Sequence, residues 1–260
     1  MDSQLSPLHA RMGTLGLLTP DDESLLDRLL HGVRHHPAGL QLQSEKAPYR
    51  ATIVMLAGWG LRYKTLADGR RQITNFVLPG ETIGLYGALF NRCDHAVELM
   101  TEATTAEIPC LDVMEVFAAS PRLGTALCWI GGQDERFMEQ QVMRIGKMNA
   151  AQRIAHMLLE LHTRLLQNGF EDPWALQMPI TQAVVADALG MSHVHANRSC
   201  RMLHEHGWVD SQGGQMTVRE QDQLASFCDY DPDYVNGGKL PSKVLHRLAK
   251  YTSAASSKVH

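Results

Sequence analysis

A group of side chains near residue 198 could read the edges of DNA bases. An arginine can bind guanine O6 and N7 through two hydrogen bonds, and an asparagine can bind adenine in a similar way. Asn197 and Arg198 are adjacent, and Arg201 follows within one helical turn. His193 and Val194 lie about one turn before them. On a helix these five residues would share the side that faces the bases, and we expect Arg198 to make the main contact.

The elements that must position these residues are two short helices joined by a tight turn. Thr181 is a favourable N-cap for a first helix that would end at Leu189, and Gly190 can adopt the left-handed conformation that turns the chain. Ser192 can then cap the second helix. This spacing predicts a helix-turn-helix, whose second helix enters the major groove of DNA. Thr181 and Ser192 therefore complete the predicted DNA-binding set.

The segment after the second helix predicts a β-wing. Gly207-Trp208-Val209-Asp210 and Gln215-Met216-Thr217-Val218 are typical of two short strands, and Gly213-Gly214 favours a tight turn between them. The backbone of such a wing can lie along phosphates. The alternative, an ordinary helical hairpin with polar surface residues, is disfavoured by this segment. His193 and His195 form an H-x-H pair, but residues two apart on a helix point in different directions, so we predict no metal site.

Composition excludes several classes of protein. The chain has 260 residues, 44% of them hydrophobic and 20% charged, which is typical of a soluble globular protein. No apolar run is long enough to span a membrane and no basic-apolar signal begins the chain, so we expect a cytoplasmic protein. The net charge of −4 resides in the first 146 residues, whereas the rest is balanced. Five dispersed cysteines without a C-x-x-C pair predict free thiols and no zinc site or disulfide framework.

The first half of the chain predicts a small antiparallel roll. Thr19-Pro20 begins a helix expected to reach about Val33. Asp68-Gly69 favours a two-residue hairpin turn. The segments expected to form strands are Ile53–Leu56, Leu61–Leu66, Gln72–Leu78, Ala96–Thr101 and Ala106–Leu111.

Two long helices should follow Ser120-Pro121, one over 122–145 and one over 148–167, with a break near Gly146 and a kink at Gly131-Gly132. The first helix has near-heptad apolar spacing, which suggests a subunit contact. The alternative is a helix that packs inside its own chain. Its apolar residues are Leu123, Leu127, Ile130, Phe137, Met138, Val142 and Ile145.

In this order, roll, long helix and winged helix-turn-helix resemble the Crp/Fnr family of bacterial transcription regulators over about residues 15–235. The resemblance implies an α+β fold: a β-roll like the cyclic-nucleotide-binding jelly roll, a long dimerisation helix and a C-terminal winged helix-turn-helix. It also implies a homodimer on palindromic double-stranded DNA and RNA polymerase as a further partner. The matching segments are Gly58-Trp59, Arg62-Tyr63-Lys64, Asp68-Gly69-Arg70-Arg71-Gln72, Leu78-Pro79-Gly80-Glu81, Ala151-Gln152-Arg153-Ile154-Ala155 and the helix-turn-helix.

With this resemblance we divide the chain into a sensor-like β-roll with flanking helices (1–120), the dimerisation helix (121–146), the DNA-binding domain (147–235) and a basic tail (236–260). The tail could form a helix near Val244–Tyr251 or an arm that adds nonspecific DNA affinity.

Departures from the family concern the effector. Cyclic-AMP-binding members hold the ribose with a glutamate and the phosphate with an arginine. Here Gly84-Leu85-Tyr86 and His95-Ala96 stand in those stretches, so we expect an effector pocket at these residues but not cyclic AMP. No cysteine precedes Cys93, which disfavours an iron–sulfur cluster. We therefore predict no cofactor.

Two alternatives to a signal-controlled regulator remain. A cupin-like enzyme on the roll would need converging histidines and a carboxylate, but only His95 lies near a strand edge and no nucleophile–base motif occurs, so we do not predict an enzyme. A ligand-independent DNA-binding protein would fill its pocket with Leu85 and Tyr86. Separately, oxidation of Cys200 inside the second helix could weaken DNA binding, although a buried structural cysteine is the favoured interpretation.

Overall fold

The structure, a computed structural model, describes residues 7–170, 178–237 and 240–248. Two helices come first, α1 (Pro7–Gly13) and α2 (Pro20–Leu29). A capping box starts α2: the Thr19 hydroxyl accepts from the Asp22 N–H, and the Asp22 carboxylate accepts from the Thr19 N–H at 2.9 Å. The expected extension to Val33 is wrong, because Leu30 is extended and the chain enters a strand at His31.

The β-roll consists of two four-stranded antiparallel sheets, with strand orders β1-β8-β3-β6 and β2-β7-β4-β5. The five predicted strands are present. The structure adds β1, which is polar and exposed, and the very short β2 and β6. The strands are β1 (His31–His36), β2 (Gln41–Gln43), β3 (Ala51–Ala57), β4 (Gly60–Thr65), β5 (Arg71–Val77), β6 (Thr82–Ile83), β7 (Ala96–Leu99) and β8 (Ala103–Pro109).

The β4–β5 turn is longer than the predicted two-residue hairpin. The Leu66 N–H donates to the Arg70 carbonyl at 2.8 Å, which closes the turn around the residues between them. Only Gly69 has a positive φ, of 85°. The predicted turn position is therefore right, but its type is not.

Two helices follow the roll, α3 (Cys110–Ala119) and α4 (Pro121–Lys147). The last predicted strand ran two residues into α3. The predicted break near Gly146 is confirmed, because α4 ends at Lys147 and the next helix begins at Ala150. The helix assignment of α4 runs without interruption through Gly131-Gly132. Gly131 serves a different purpose: a Cβ atom there would lie 1.9 Å from the Tyr86 hydroxyl oxygen.

Most of the predicted subunit seam on α4 is buried within its own chain. Leu123, Leu127, Ile130 and Phe137 are at most 3% exposed, whereas Val142 is 69% exposed. Met138 is also exposed, and Ile145 is partly buried. The apolar spacing of α4 thus reflects intrachain packing for these four residues, and only the distal part of the predicted seam faces outward.

The helix α5 (Ala150–Gln167) joins the β-roll to the C-terminal domain through a common core. Its Arg164 is buried and donates to Glu81 of the roll at 2.9 and 2.7 Å. Glu160 contacts both Arg164 and Arg144. Burial alone would raise the pKa of Glu160, but the two arginines hold it below its usual value. This paired network fixes α5 against both the roll and α4.

The last described elements are α8 (Gln221–Cys228), α9 (Asp233–Asn236) and a helical segment over 242–248. Leu240, Val244 and Leu248 pack into the core formed by α1, α2 and α4. The described part of the tail is therefore packed and partly helical, as one of the two alternatives expected. The remainder of the predicted Val244–Tyr251 helix lies outside the described residues. Among the described helices, none is long and apolar enough to cross a membrane.

Candidate nucleic-acid interface

The predicted helix-turn-helix is present with the expected caps. Helices α6 (Gln182–Leu189) and α7 (His193–Glu205) are joined at Gly190, which is left-handed with φ 60° and ψ 41°. The Thr181 hydroxyl accepts from the Val184 N–H, and the Ser192 hydroxyl accepts from the His195 N–H. One of the orphan amides at the start of each helix thus has a side-chain partner.

The helix α7 has a buried side and an exposed side. Ala196, Ser199, Cys200 and Leu203 pack inward, and Ala196 and Leu203 are fully buried. Because successive helical residues are about 100° apart, the predicted base-facing residues occupy the opposite side. All of them are exposed: His193, Val194, Asn197, Arg198 and Arg201.

The exposed residues of α7 differ in how firmly they are held. Asn197 donates to the Gln182 side chain of α6 at 2.8 Å, so Gln182 joins the surface although its sequence position gave no signal. Within the described residues, no hydrogen bond or ion pair engages Arg198 or Arg201. Their guanidinium groups are free to bind bases or phosphates. Val194 is 78% exposed, and an apolar side chain there could contact a thymine methyl group.

The predicted wing is a two-stranded hairpin, β9 (Val209–Gln212) and β10 (Gln215–Val218). Gly213 and Gly214 form its turn with φ of 61° and 80°, as a two-residue primed turn requires. A Cβ atom on Gly214 would lie 3.5 Å from the Thr181 side chain. The structure therefore brings the wing tip to the start of α6.

A carboxylate beside the wing is neutralised within the chain. Asp210 accepts from Arg219 at 2.8 Å and lies 3.4 Å from the His204 ring. These partners reduce the repulsion that an isolated carboxylate would exert on DNA phosphates.

Comparison with known proteins identifies this arrangement. Residues 152–227 match the family described as the Crp-like helix-turn-helix domain. The transcriptional activator protein anr of Pseudomonas aeruginosa is 22% identical over 227 residues, which cover 87% of this chain and 91% of that protein. The nitrogen fixation regulation protein FixK of Bradyrhizobium diazoefficiens is 25% identical over 176 residues, or 67% and 73% of the two chains. Over most of its length the chain is therefore similar to transcription regulators of the Crp/Fnr family.

Solved structures of related regulators have the same fold as this chain. FixK2 from Bradyrhizobium japonicum superposes with a TM-score of 0.67 at 22% identity and covers 75% of this chain and 96% of its own. The c-di-GMP-responsive regulator CLP of Xanthomonas campestris gives a TM-score of 0.62 at 17% identity, with coverage of 78% and 100%.

The β-roll borders a cavity of about 380 Å³. Four of the five predicted pocket residues line it, namely Gly84, Leu85, Tyr86 and His95. Ala96 does not, because it is buried within the sheet. Sequence reasoning missed eight lining residues. Four lie next to the predicted stretches, namely Gly87, Phe90, Arg92 and Asp94, and four come from distant parts of the chain, namely Tyr49, Arg62, Gly131 and Asp134.

The glycines of this cavity make room for an aromatic ring. A Cβ atom would lie 3.0 Å from the Tyr49 ring at Gly84 and 2.7 Å from it at Gly87. Burial raises the pKa of Tyr49 to about 12, so its hydroxyl stays protonated at neutral pH. Leu85 and Tyr86 line the cavity without filling it, which removes the basis for the filled-pocket alternative.

The cysteines have no metal-binding arrangement within the described residues, where no cluster of three or more histidine, cysteine or acidic side chains occurs. Cys200 is buried, and burial raises the pKa of its thiol to about 11. Because the thiolate is the reactive form, this supports a structural role over oxidation sensing. His193 and His195 are both exposed on α7.

Proposed function

We propose that this DNA-binding regulator of the Crp/Fnr type acts as a homodimer and reads one half of a palindromic site with each α7. The observation that carries the proposal is the exposed side of α7, where Arg198 and Arg201 are free of partners within the described residues. Two-fold symmetry would place the half-sites about one helical turn of DNA, roughly 34 Å, apart.

Individual residues have distinct roles in this proposal. Arg198 binds a guanine, Asn197 contacts an adenine while held by Gln182, and Val194 packs against a thymine methyl group. Arg201 and the Gly213-Gly214 turn contact phosphates, which fixes the register of α7 without reading sequence.

An exposed apolar surface supports the homodimer. Val142 projects from α4, and Phe117 of α3 lies against Gly124 of α4. Exposed apolar side chains near both ends of α4 favour a protein contact along this helix. The exposed apolar residues on α3, on α4 and in the connection between β6 and β7 that remain outside the cavity are Leu89, Leu111, Met114, Phe117, Met138 and Val142.

Sedimentation velocity tests the dimer. A glutamate at Val142 would place a charge in the proposed contact, so Val142→Glu should sediment as a monomer where the wild type is a dimer. Val33→Glu, at an exposed valine on β1, serves as the control and should remain dimeric. A monomeric wild type, or an unchanged Val142→Glu dimer, would contradict the proposed contact.

The β-roll cavity supports control by a small-molecule effector. The relatives named above are regulators, and anr is named a transcriptional activator, so we propose regulation rather than catalysis, with RNA polymerase as the protein partner. Such a protein works beside the chromosome, and we place it in the cytoplasm.

Selection from a random DNA pool tests the proposed function. The purified full chain should enrich a two-fold symmetric sequence with half-sites one helical turn apart. Enrichment of no sequence, or of an asymmetric one, would refute a dimer that reads a palindrome.

A further inference from the structure

Two residues that line the β-roll cavity, Arg62 and His95, each carry a buried nitrogen atom without a protein partner among the described residues. Within the described residues, neither Arg62 Nε nor His95 Nε2 has a hydrogen-bond partner. A buried polar atom without a partner costs about 1–3 kcal/mol. Both residues line the same cavity, so both atoms mark positions that a bound molecule would complete. The inference developed from them rests on the proposed effector role of this cavity.

One of the two atoms donates a hydrogen bond and the other accepts one, so a bound molecule must offer each atom a different group. His95 Nδ1 lies 2.7 Å from an Asp94 carboxylate oxygen, which can only accept, so the ring proton resides on Nδ1. Burial and the nearby Arg62 lower the pKa of His95, which keeps the ring neutral and leaves Nε2 as an acceptor. Arg62 Nε is always a donor. A matching molecule therefore offers an acceptor to Arg62 and a donor to His95.

The charges of the cavity favour a single negative charge on the bound molecule. Arg62 is paired with Asp134 at 3.0 Å, and Asp94 is paired with His95 and with Lys64 at 3.6 Å. Arg92 donates to the Lys46 carbonyl and has no ion pair within the part of the chain that the structure describes. One positive charge thus remains uncompensated at the cavity wall.

Aromatic side chains form the rest of the wall. Tyr49 is fixed against Gly84 and Gly87, and Tyr86 lies against Gly131 of α4. Phe90 is 64% exposed although it lines the cavity, so a bound ring could cover it. Flat aromatic surfaces of this kind favour a planar ring between them.

We propose that the cavity binds a hydroxylated aromatic acid. Its carboxylate accepts from Arg62 Nε near Arg92, its hydroxyl donates to His95 Nε2, and its ring packs on Tyr49 and Phe90. The volume of about 380 Å³ falls at the small end of ligand pockets and suits one ring with short substituents.

Isothermal titration calorimetry of the full chain with hydroxybenzoates and hydroxycinnamates tests this proposal. We expect at least one hydroxy acid to bind about tenfold more tightly than the same acid without its hydroxyl, as expected for one hydrogen bond to a buried atom. The carboxamide of that acid should also bind more weakly. Binding by no member of the panel, or equal binding of the acid and both analogues, would overturn the proposal, as would tighter binding of cyclic AMP.

Two variants test which residue recognises the hydroxyl of the ligand and which recognises its carboxylate. His95→Phe should remove the preference for the hydroxyl, and Arg92→Met should reduce the preference for the carboxylate over the carboxamide. Arg70→Met, at an exposed arginine outside the cavity lining, should change neither preference. Equal hydroxyl preference in His95→Phe and wild type would contradict the assigned contact.

DNA binding by the same preparations keeps the two proposals separate. Selective DNA binding without acid binding would overturn the ligand class and leave the DNA-binding function intact. Acid binding that leaves DNA affinity unchanged would uphold the ligand class and refute the effector role of the cavity.

Discussion

Gly131 and Gly132 are neighbours in α4, but only Gly132 has room for a methyl group. An alanine Cβ at Gly132 would meet nothing within 4 Å, so Gly132→Ala should raise the free energy of unfolding by up to about 1 kcal/mol through helix propensity. At Gly131 the same Cβ would lie 1.9 Å from the Tyr86 hydroxyl oxygen and 2.5 Å from two ring carbons. Tyr86 must therefore move.

The difference between the two variants follows from this displacement. Inserting a carbon into a packed contact typically costs about 1–3 kcal/mol. Gly131→Ala has the same favourable helix propensity as Gly132→Ala, but it must also displace Tyr86. Its free energy of unfolding should therefore be about 1–3 kcal/mol lower than that of Gly132→Ala. Because Tyr86 lines the cavity, Gly131→Ala should also weaken binding of any cavity ligand, whereas Gly132→Ala should not.

Urea denaturation followed by circular dichroism, with both variants and the wild type in parallel, measures the difference. Equal stability of the two alanine variants would refute the close contact between Tyr86 and α4. Unchanged ligand binding in Gly131→Ala would refute the placement of Tyr86 in the cavity wall.

Further predictions concern the buried groups. Glu81→Gln removes the charge that pairs with the buried Arg164 and should lower stability by about 3–5 kcal/mol, measured by the same denaturation. Burial and a neighbouring arginine lower the pKa of His156 to about 4, so the unfolded state takes up a proton first as pH falls. The free energy of unfolding should fall by roughly 3 kcal/mol as the pH is lowered from 6.5 to 4. His156→Phe should reduce this dependence on pH, and an equal slope in the variant and the wild type would contradict the assignment to His156. Native alkylation followed by mass spectrometry should label the exposed Cys128 before the buried Cys200, and faster labelling of Cys200 would revive the oxidation hypothesis.

The helix-turn-helix could be predicted from sequence because its signals are local. Thr181 and Ser192 cap their own helices, and Gly190 makes its own turn. The wing is equally local, since Gly213 and Gly214 join adjacent strands. Short-range hydrogen bonds and backbone conformations specify these elements without help from the rest of the chain.

The partners of α4 and the cavity wall depend on distant residues. Apolar spacing shows that one side of α4 must be covered, but not whether a second copy or the chain itself covers it. Leu248 and the rest of its segment pack into the same core from far along the sequence. Tyr49 and Asp134 reach one cavity only after the roll has closed against α4. The sequence around Tyr49 and Asp134 contains no local pattern that predicts their place in a common cavity.

If the exposed side of α7 reads DNA bases, Arg198→Ala removes the guanidinium group that makes the main base contact. Fluorescence anisotropy would compare this variant, the Arg70→Ala control and the wild type on the selected palindrome and on versions with each base pair changed. Loss of a guanine contact should weaken binding by about 1–3 kcal/mol per contact and abolish the preference at one position in each half-site. Unchanged affinity and base preference in Arg198→Ala would contradict the account.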